Sequence, residues 1–345
     1  MDCTLALLRS ECAVPLVLPS RRSAVSSASP AQSPLQARDV TAALGVVIIW
    51  GLNFVAMKLS LRDFTAFQLG AVRYVFAALP LVFIVKRPQL PWRWLLYYGL
   101  AQGVGQFGLL FVALQAGMTA AMASVVMQTQ LFFTTLLGVV LLHERISGPL
   151  RVGLALAAIG LACFALNFST GGTASGGTTL LGLLLNLGAA AMWGTANVIT
   201  RKAQQAHPGY DALGFVVWSG VVPIIPFVAL SLLFDPPALR WQWLQASPGA
   251  WLGAAYLGWI ATILAYAMWT GLFKRHPANR VAPFSLGVPV VGLAAGMGLL
   301  GERITAWQWT GIAFVLVALI VVMFGGSLAR RARNYASGTV DARRP

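Results

Sequence analysis

Two cations, Lys58 and Arg73, stand inside stretches that are otherwise apolar, and a small set of amides stands with them. Polar groups are costly in such surroundings, and they are kept where they meet a solute or bond a neighbouring helix. Asn53 shares one helix face with Trp50 and Met57 and can offer a polar ligand both a donor and an acceptor. Asn197 holds the matching place in Trp193-Gly194-Thr195-Ala196-Asn197. For both, a hydrogen bond between helices is the alternative. Gln102 and Gln106 lie four apart and so face the same way. Gln128 and Gln130 lie two apart, so at most one points squarely into a cavity, and spacing does not choose between them. Each glutamine either lines a path or packs a helix. Lys58 is expected to snorkel toward headgroups. Arg73 lies further from its helix end and is the better receptor for a carboxylate in passage.

Trp193, Trp218, Tyr256, Tyr266 and Trp269 also fall within apolar stretches, where aromatic faces can wall a pocket or hold an ammonium group. Pro283 and Pro289 interrupt one stretch, and Pro223 and Pro226 another. A proline frees backbone carbonyls and bends a helix, giving either a hinge beside a cavity or a static kink. Gly99, Gly103, Gly105 and Gly108 permit close helix approach. None of the nine acidic residues sits mid-stretch, and His143, His207 and His276 lie at edges. An intramembrane proton relay, a metal centre and a hydrolytic site are therefore not expected. No phosphate-cradling Gly-x-x-x-x-Gly-Lys-Ser/Thr loop exists, and Cys3, Cys12 and Cys163 form no pairing pattern. No cofactor is implied.

These residues must be positioned by a membrane bundle. Hydrophobic residues make up 58% of the chain and charged ones 10%, where a soluble domain carries roughly a quarter charged. A span takes roughly 20 apolar residues. Ten candidates follow, at 40–60, 67–85, 95–114, 119–141, 149–167, 179–201, 213–233, 248–272, 279–300 and 306–324. The net charge of +15 would suggest nucleic acid in a soluble protein, but its placement argues against that partner. Lys86, Arg87, Arg93, Arg145, Arg151, Arg201, Lys202, Lys274, Arg275 and Arg280 all fall on the side of the termini, against Arg62, Arg240 and Arg303 opposite. By the positive-inside rule both termini are cytoplasmic.

The chain is also written twice. His143-Glu144-Arg145-Ile146 and Gly301-Glu302-Arg303-Ile304 each close an apolar stretch, and Trp50-Gly51-Leu52-Asn53 echoes the Trp193 run. Five spans per copy is odd, so the second copy enters from the opposite face, as an inverted repeat. The expected organisation is a disordered tail (1–39), a first repeat (40–167), a flexible outer linker (168–178), a second repeat (179–325) and a basic cytoplasmic tail (326–345). The fold class expected is all-α integral membrane: ten transmembrane helices in two inverted five-helix repeats.

The paired copies resemble the EamA-type transporters of the drug/metabolite transporter superfamily. Gln128-Thr129-Gln130-Leu131-Phe132-Phe133-Thr134, Pro223-Ile224-Ile225-Pro226-Phe227, Arg280-Val281-Ala282-Pro283 and Val288-Pro289-Val290-Val291-Gly292-Leu293 resemble the members that export O-acetylserine and cysteine. The resemblance implies secondary export of small polar metabolites from a bacterial inner membrane by alternating access. The alternatives are an exporter of drugs or hydrophobic cations and, in another class, a non-transporting scaffold or enzyme. The partners implied are a small-molecule substrate and the lipid bilayer; homodimer formation stays open.

Overall fold

The computed structural model describes residues 36–142, 148–169, 178–276 and 278–341. The disorder expected for the N-terminal tail, the Glu144 signature and most of the linker fall outside these residues. Among the described residues, nine helices are long and apolar enough to span a membrane. They are α1 (Ala37–Ser60), α3 (Trp92–Gln115), α4 (Ala120–Leu141), α5 (Gly148–Asn167), α6 (Leu180–Ala206), α7 (Ala212–Phe234), α8 (Pro248–Phe273), α9 (Ala282–Leu300) and the apolar part of α10 (Ala306–Asp341). A shorter apolar helix, α2 (Ala66–Val82), fills the remaining place. No strand occurs among the described residues. Two boundaries differ from expectation. Residues 37–39 already belong to α1, and α10 runs on through the basic tail to Asp341.

Local chemistry sets the helix starts. Thr65 and Gln68 form a reciprocal capping box on α2, and Thr119, Thr179, Asp211 and Ser247 each accept a backbone N–H at the starts of α4, α6, α7 and α8. A side-chain oxygen there replaces the missing intrahelical partner. Gly301 ends α9 at φ 67°, a left-handed conformation that only glycine takes without strain.

Helix pairing is reciprocal. α5 packs on α10, while α1 lies against α8 and α9, and α6 against α3 and α4. Small residues let the backbones approach. A Cβ on Gly51 would sit 2.4 Å from Val291 and 3.1 Å from the nitrogen of Gly292. One on Gly194 would sit 2.9 Å from Phe133 and 2.8 Å from the nitrogen of Thr134. Gly160 and Gly311 oppose each other's carbonyls across the α5–α10 seam. Where lipid is as apolar as the helix surface, such close packing supplies the association energy.

Two helices depart from regular α geometry along much of their length. Gly99–Gly108 in α3 and Tyr256–Leu264 in α8 are π-helical. Such wide turns are uncommon and concentrate at functional sites. Short 3₁₀ stretches occupy Met127–Thr129 in α4 and Ala282–Leu286 in α9.

Candidate functional site

The two π-helical segments face one cavity. It lies among α2, α3, α7 and α8 and holds about 1060 Å³ including its open mouth. Its lining runs from Leu81, Ala212, Leu213 and Gly271 at one end of the bundle to Arg73, Phe107 and Thr262 deep within it. Most of the wall is apolar, and Arg73 is the only charged side chain among its described lining residues.

Arg73 is 2% exposed. Its Nη2 donates to Thr262 Oγ1 at 3.1 Å, while Nε and Nη1 have no protein acceptor. The guanidinium carbon lies 3.6 Å over the ring of Phe107, a cation–π contact. Thr262 in turn donates to Leu257 O at 2.8 Å, five residues back within the wide turn. The π geometry thus aims the hydroxyl at Arg73. Gln102 lines the cavity and donates through Nε2 to Gln106 Oε1 at 2.9 Å.

Behind Arg73 the bundle is closed. Tyr74 stacks on Phe227 with ring centroids 6.2 Å apart. Thr65 and Ser231 both donate to Asp235 Oδ2 at 2.6 Å, joining the start of α2 to the end of α7. Gln68 Nε2 adds bonds to Leu239 O and Arg240 O at 2.8 and 3.1 Å. Beyond them, Asp63 accepts from the Ser247 hydroxyl and, at 2.9 Å, from its backbone N–H. Those bonds, the hydroxyl first, hold the Asp63 carboxyl below the usual carboxylate range.

Of the residues singled out from sequence, the structure brings Arg73, Gly99, Gln102, Gly103, Pro223 and Tyr266 to the cavity wall, with Gln106 bonded behind Gln102. The others lie elsewhere. Asn197 donates to Gln130 Oε1 at 2.8 Å and to Thr134 Oγ1 at 3.0 Å, a cluster between α4 and α6. Gln128 donates to Ser285 O at 3.3 Å. Trp193 packs on the core, and Trp218 donates to Val85 O at 3.0 Å near a bundle end. Trp269 contacts the edges of Trp50 and Phe273. Pro283 lies in the 3₁₀ stretch of α9, and Pro289 is buried with its carbonyl facing Ser124 Oγ at 3.5 Å. Asn53 is buried, and its Oδ1 has no partner.

One reading changes, and the edge residues gain partners. Lys58 does not reach for headgroups: its Nζ donates to Leu114 O at 2.6 Å and Met118 O at 2.9 Å, where α3 ends. Asp39, in the first turn of α1, and His276, just beyond α8, are both buried and paired at 2.8 Å, with Arg275 at 3.1 Å from Asp39. Glu302 accepts the backbone N–H groups of Ala120 and Ala121 at 2.7 and 2.8 Å and so caps α4. Sequence reasoning missed Thr262, Phe107 and Tyr74. The one signal for Tyr74 was its place beside Arg73; a threonine in an apolar run gives none.

An apolar helical bundle around a partly open cavity with a buried cation defines a membrane carrier. The chain belongs to the EamA-like transporter family, whose model matches residues 38–166 and 180–324. It is a multi-pass protein of the bacterial inner membrane. A relative from Salmonella typhimurium named "Probable amino-acid metabolite efflux pump" is 38% identical, over 86% of this chain and 98% of its own length. A protein of the same name from Escherichia coli is 38% identical over 84% and 95%. A "Probable terminal-alkyne amino-acid exporter" from Streptantibioticus cattleyicolor is 24% identical over 77% and 86%. One crystal structure shares the fold with a TM-score of 0.53 at 19% identity, covering 85% of this chain and 97% of that one.

Proposed function

We propose that this protein exports small amino-acid metabolites by alternating access, with cysteine and O-acetylserine as its substrates. The observation that carries the reading is Arg73, held at the blind end of the cavity with two N–H-bearing nitrogens unused. A carboxylate fits a guanidinium in a forked, charge-assisted pair. Arg73 also disfavours the rival reading, an exporter of hydrophobic cations, by repulsion in a poorly solvated site. The names of the Salmonella and Escherichia relatives support amino-acid metabolites as the class.

In this reading all ten helices cross the membrane, α2 among them, since 17 residues is the lower end of what spans. Residues 40–167 and 179–325 are inverted five-helix repeats, the 168–178 linker lies outside and both tails lie in the cytoplasm. The reciprocal pairing supports this, with α1 on α9 answered by α6 on α4. So do the π-helical segments in the third helix of each copy. The mouth near Leu81 and Gly271 then faces the cytoplasm, and the Thr65–Asp235–Ser231 bonds close the outer end. Arg73, Gln102, Gln106 and Tyr266 form the binding site, and Asn53, Gln128 and the proline-broken α9 line the path once the outer end opens.

The test is transport by purified protein in liposomes. Cysteine or O-acetylserine should move well above the rate in protein-free vesicles. Movement no faster than in those vesicles, for both compounds, would sink the substrate assignment.

A further inference from the structure

Arg73 raises a question of charge that the wall of its cavity does not answer. It is a buried cation with no anionic partner among the described residues, and no other charged side chain lines the cavity with it. Thr262 takes one hydrogen bond and Phe107 offers its ring face, which leaves Nε and Nη1 unsatisfied. While the mouth stands open, water can reach the cavity and solvate the charge. To reverse its orientation the carrier must close that mouth, and an unpaired charge taken from water is strongly disfavoured. A bound carboxylate changes the balance, because it neutralises the guanidinium and accepts from both free nitrogens. Gln102, its Nε2 committed to Gln106, keeps its oxygen for the ammonium of the same ligand.

We propose that the substrate carboxylate is the counter-ion this carrier needs in order to reorient, so that the loaded protein reverses readily and the empty one stalls. The protein is then an exchanger of amino acids that bear a free carboxylate, with Arg73 as the residue that couples occupancy to reversal. This rests on the export reading given above and adds to it a required ligand group and a mode of transport.

The experiment compares two modes in liposomes containing the full chain. Uptake of radiolabelled cysteine, kept reduced, is followed into vesicles loaded with unlabelled cysteine or with buffer alone. Uptake into the cysteine-loaded vesicles should be about tenfold faster or more, the cost of closing over a bare cation being removed. Vesicles loaded with cysteinamide, which lacks the carboxylate, should give no acceleration. Equal uptake in all vesicles would overturn the exchange proposal and leave the export reading standing. No uptake in any vesicle, with O-acetylserine also inert, would overturn both.

Arg73→Gln should erase the difference between the two modes and Arg73→Lys should keep it, both variants first checked for monodispersity in detergent. A monodisperse Arg73→Gln protein that still shows the full acceleration would overturn the proposal. Should Arg73→Gln fail to fold, the wild-type comparison of loads decides alone.

Discussion

The helices α2 and α7 begin with the same words and end with different chemistry. Leu69-Gly70-Ala71-Val72 in one answers Leu213-Gly214-Phe215-Val216 in the other, and the next residue is Arg73 in α2 but Val217 in α7. Both residues line the same cavity. The asparagines of α1 and α6 diverge in the same way. Asn197 is satisfied by Gln130 and Thr134, whereas Asn53 keeps an unpaired oxygen. Glycine contacts match Phe133 and Thr134 with Val291 and Gly292, and in that register Gln130 corresponds to Val288. The second matched segment thus places an apolar residue where an amide would have answered Asn53. At these positions the residues that fix helix approach repeat between the segments, whereas the cavity residue Arg73 and the partner of the asparagine do not. Packing tolerates little change at a close seam, while a cavity wall has room for substitution.

Three perturbations probe this contrast, from the largest effect down. Gly160→Leu and Gly311→Leu should each push a side chain into the facing backbone of the α5–α10 seam. Overpacking of that kind costs about 3 kcal/mol or more where neither backbone can yield. Both variants should lose most folded protein in membrane extracts, whereas Gly298→Leu, with nothing within 4 Å of its Cβ position, should not. Normal yields of both seam variants would mean that the shared glycines do not carry the packing.

The asparagines come next. Asn197→Leu leaves Gln130 without its donor and should cost about 1–3 kcal/mol. Asn53→Leu removes an unpaired carbonyl and should leave the thermal midpoint in detergent unchanged or raised, while slowing export if Asn53 meets the solute. Equal loss of stability in both would remove the distinction drawn between the two copies.

The smallest effect is expected at Glu302→Gln. The carboxylate holds two N–H groups at the start of α4, where negative charge is favourable by about 0.3–1 kcal/mol. A drop of that size in stability with transport intact would confirm a capping role. Loss of transport at full stability would instead place Glu302 on the path.

Much of the fold was legible because a span writes itself in one dimension: a long apolar run flanked on one side of the membrane by basic residues. The starts expected at 67, 119, 213 and 248 fall within about one residue of the observed starts of α2, α4, α7 and α8 for that reason. The site was less legible. Arg73 stood out because a cation in an apolar run is rare. The glutamines did not sort themselves, since whether an amide meets a solute or another amide depends on the facing helix. Lys58 was misread for the same reason: its partners, Leu114 O and Met118 O, are backbone atoms that any sequence could supply.

Composition and duplication by themselves determined that this chain is an apolar helical bundle built from two related copies with two cations inside the apolar runs of the first. Both follow from free energies of transfer and spacing, which are properties of the residues alone. Only the tertiary structure decided that Arg73 has Phe107 beneath it and Thr262 beside it, and that no acid is among the described residues lining its cavity. It also decided that Asn197 is spent on packing while Asn53 is not. Partnership between side chains depends on which helix faces which, and that is settled when the bundle closes.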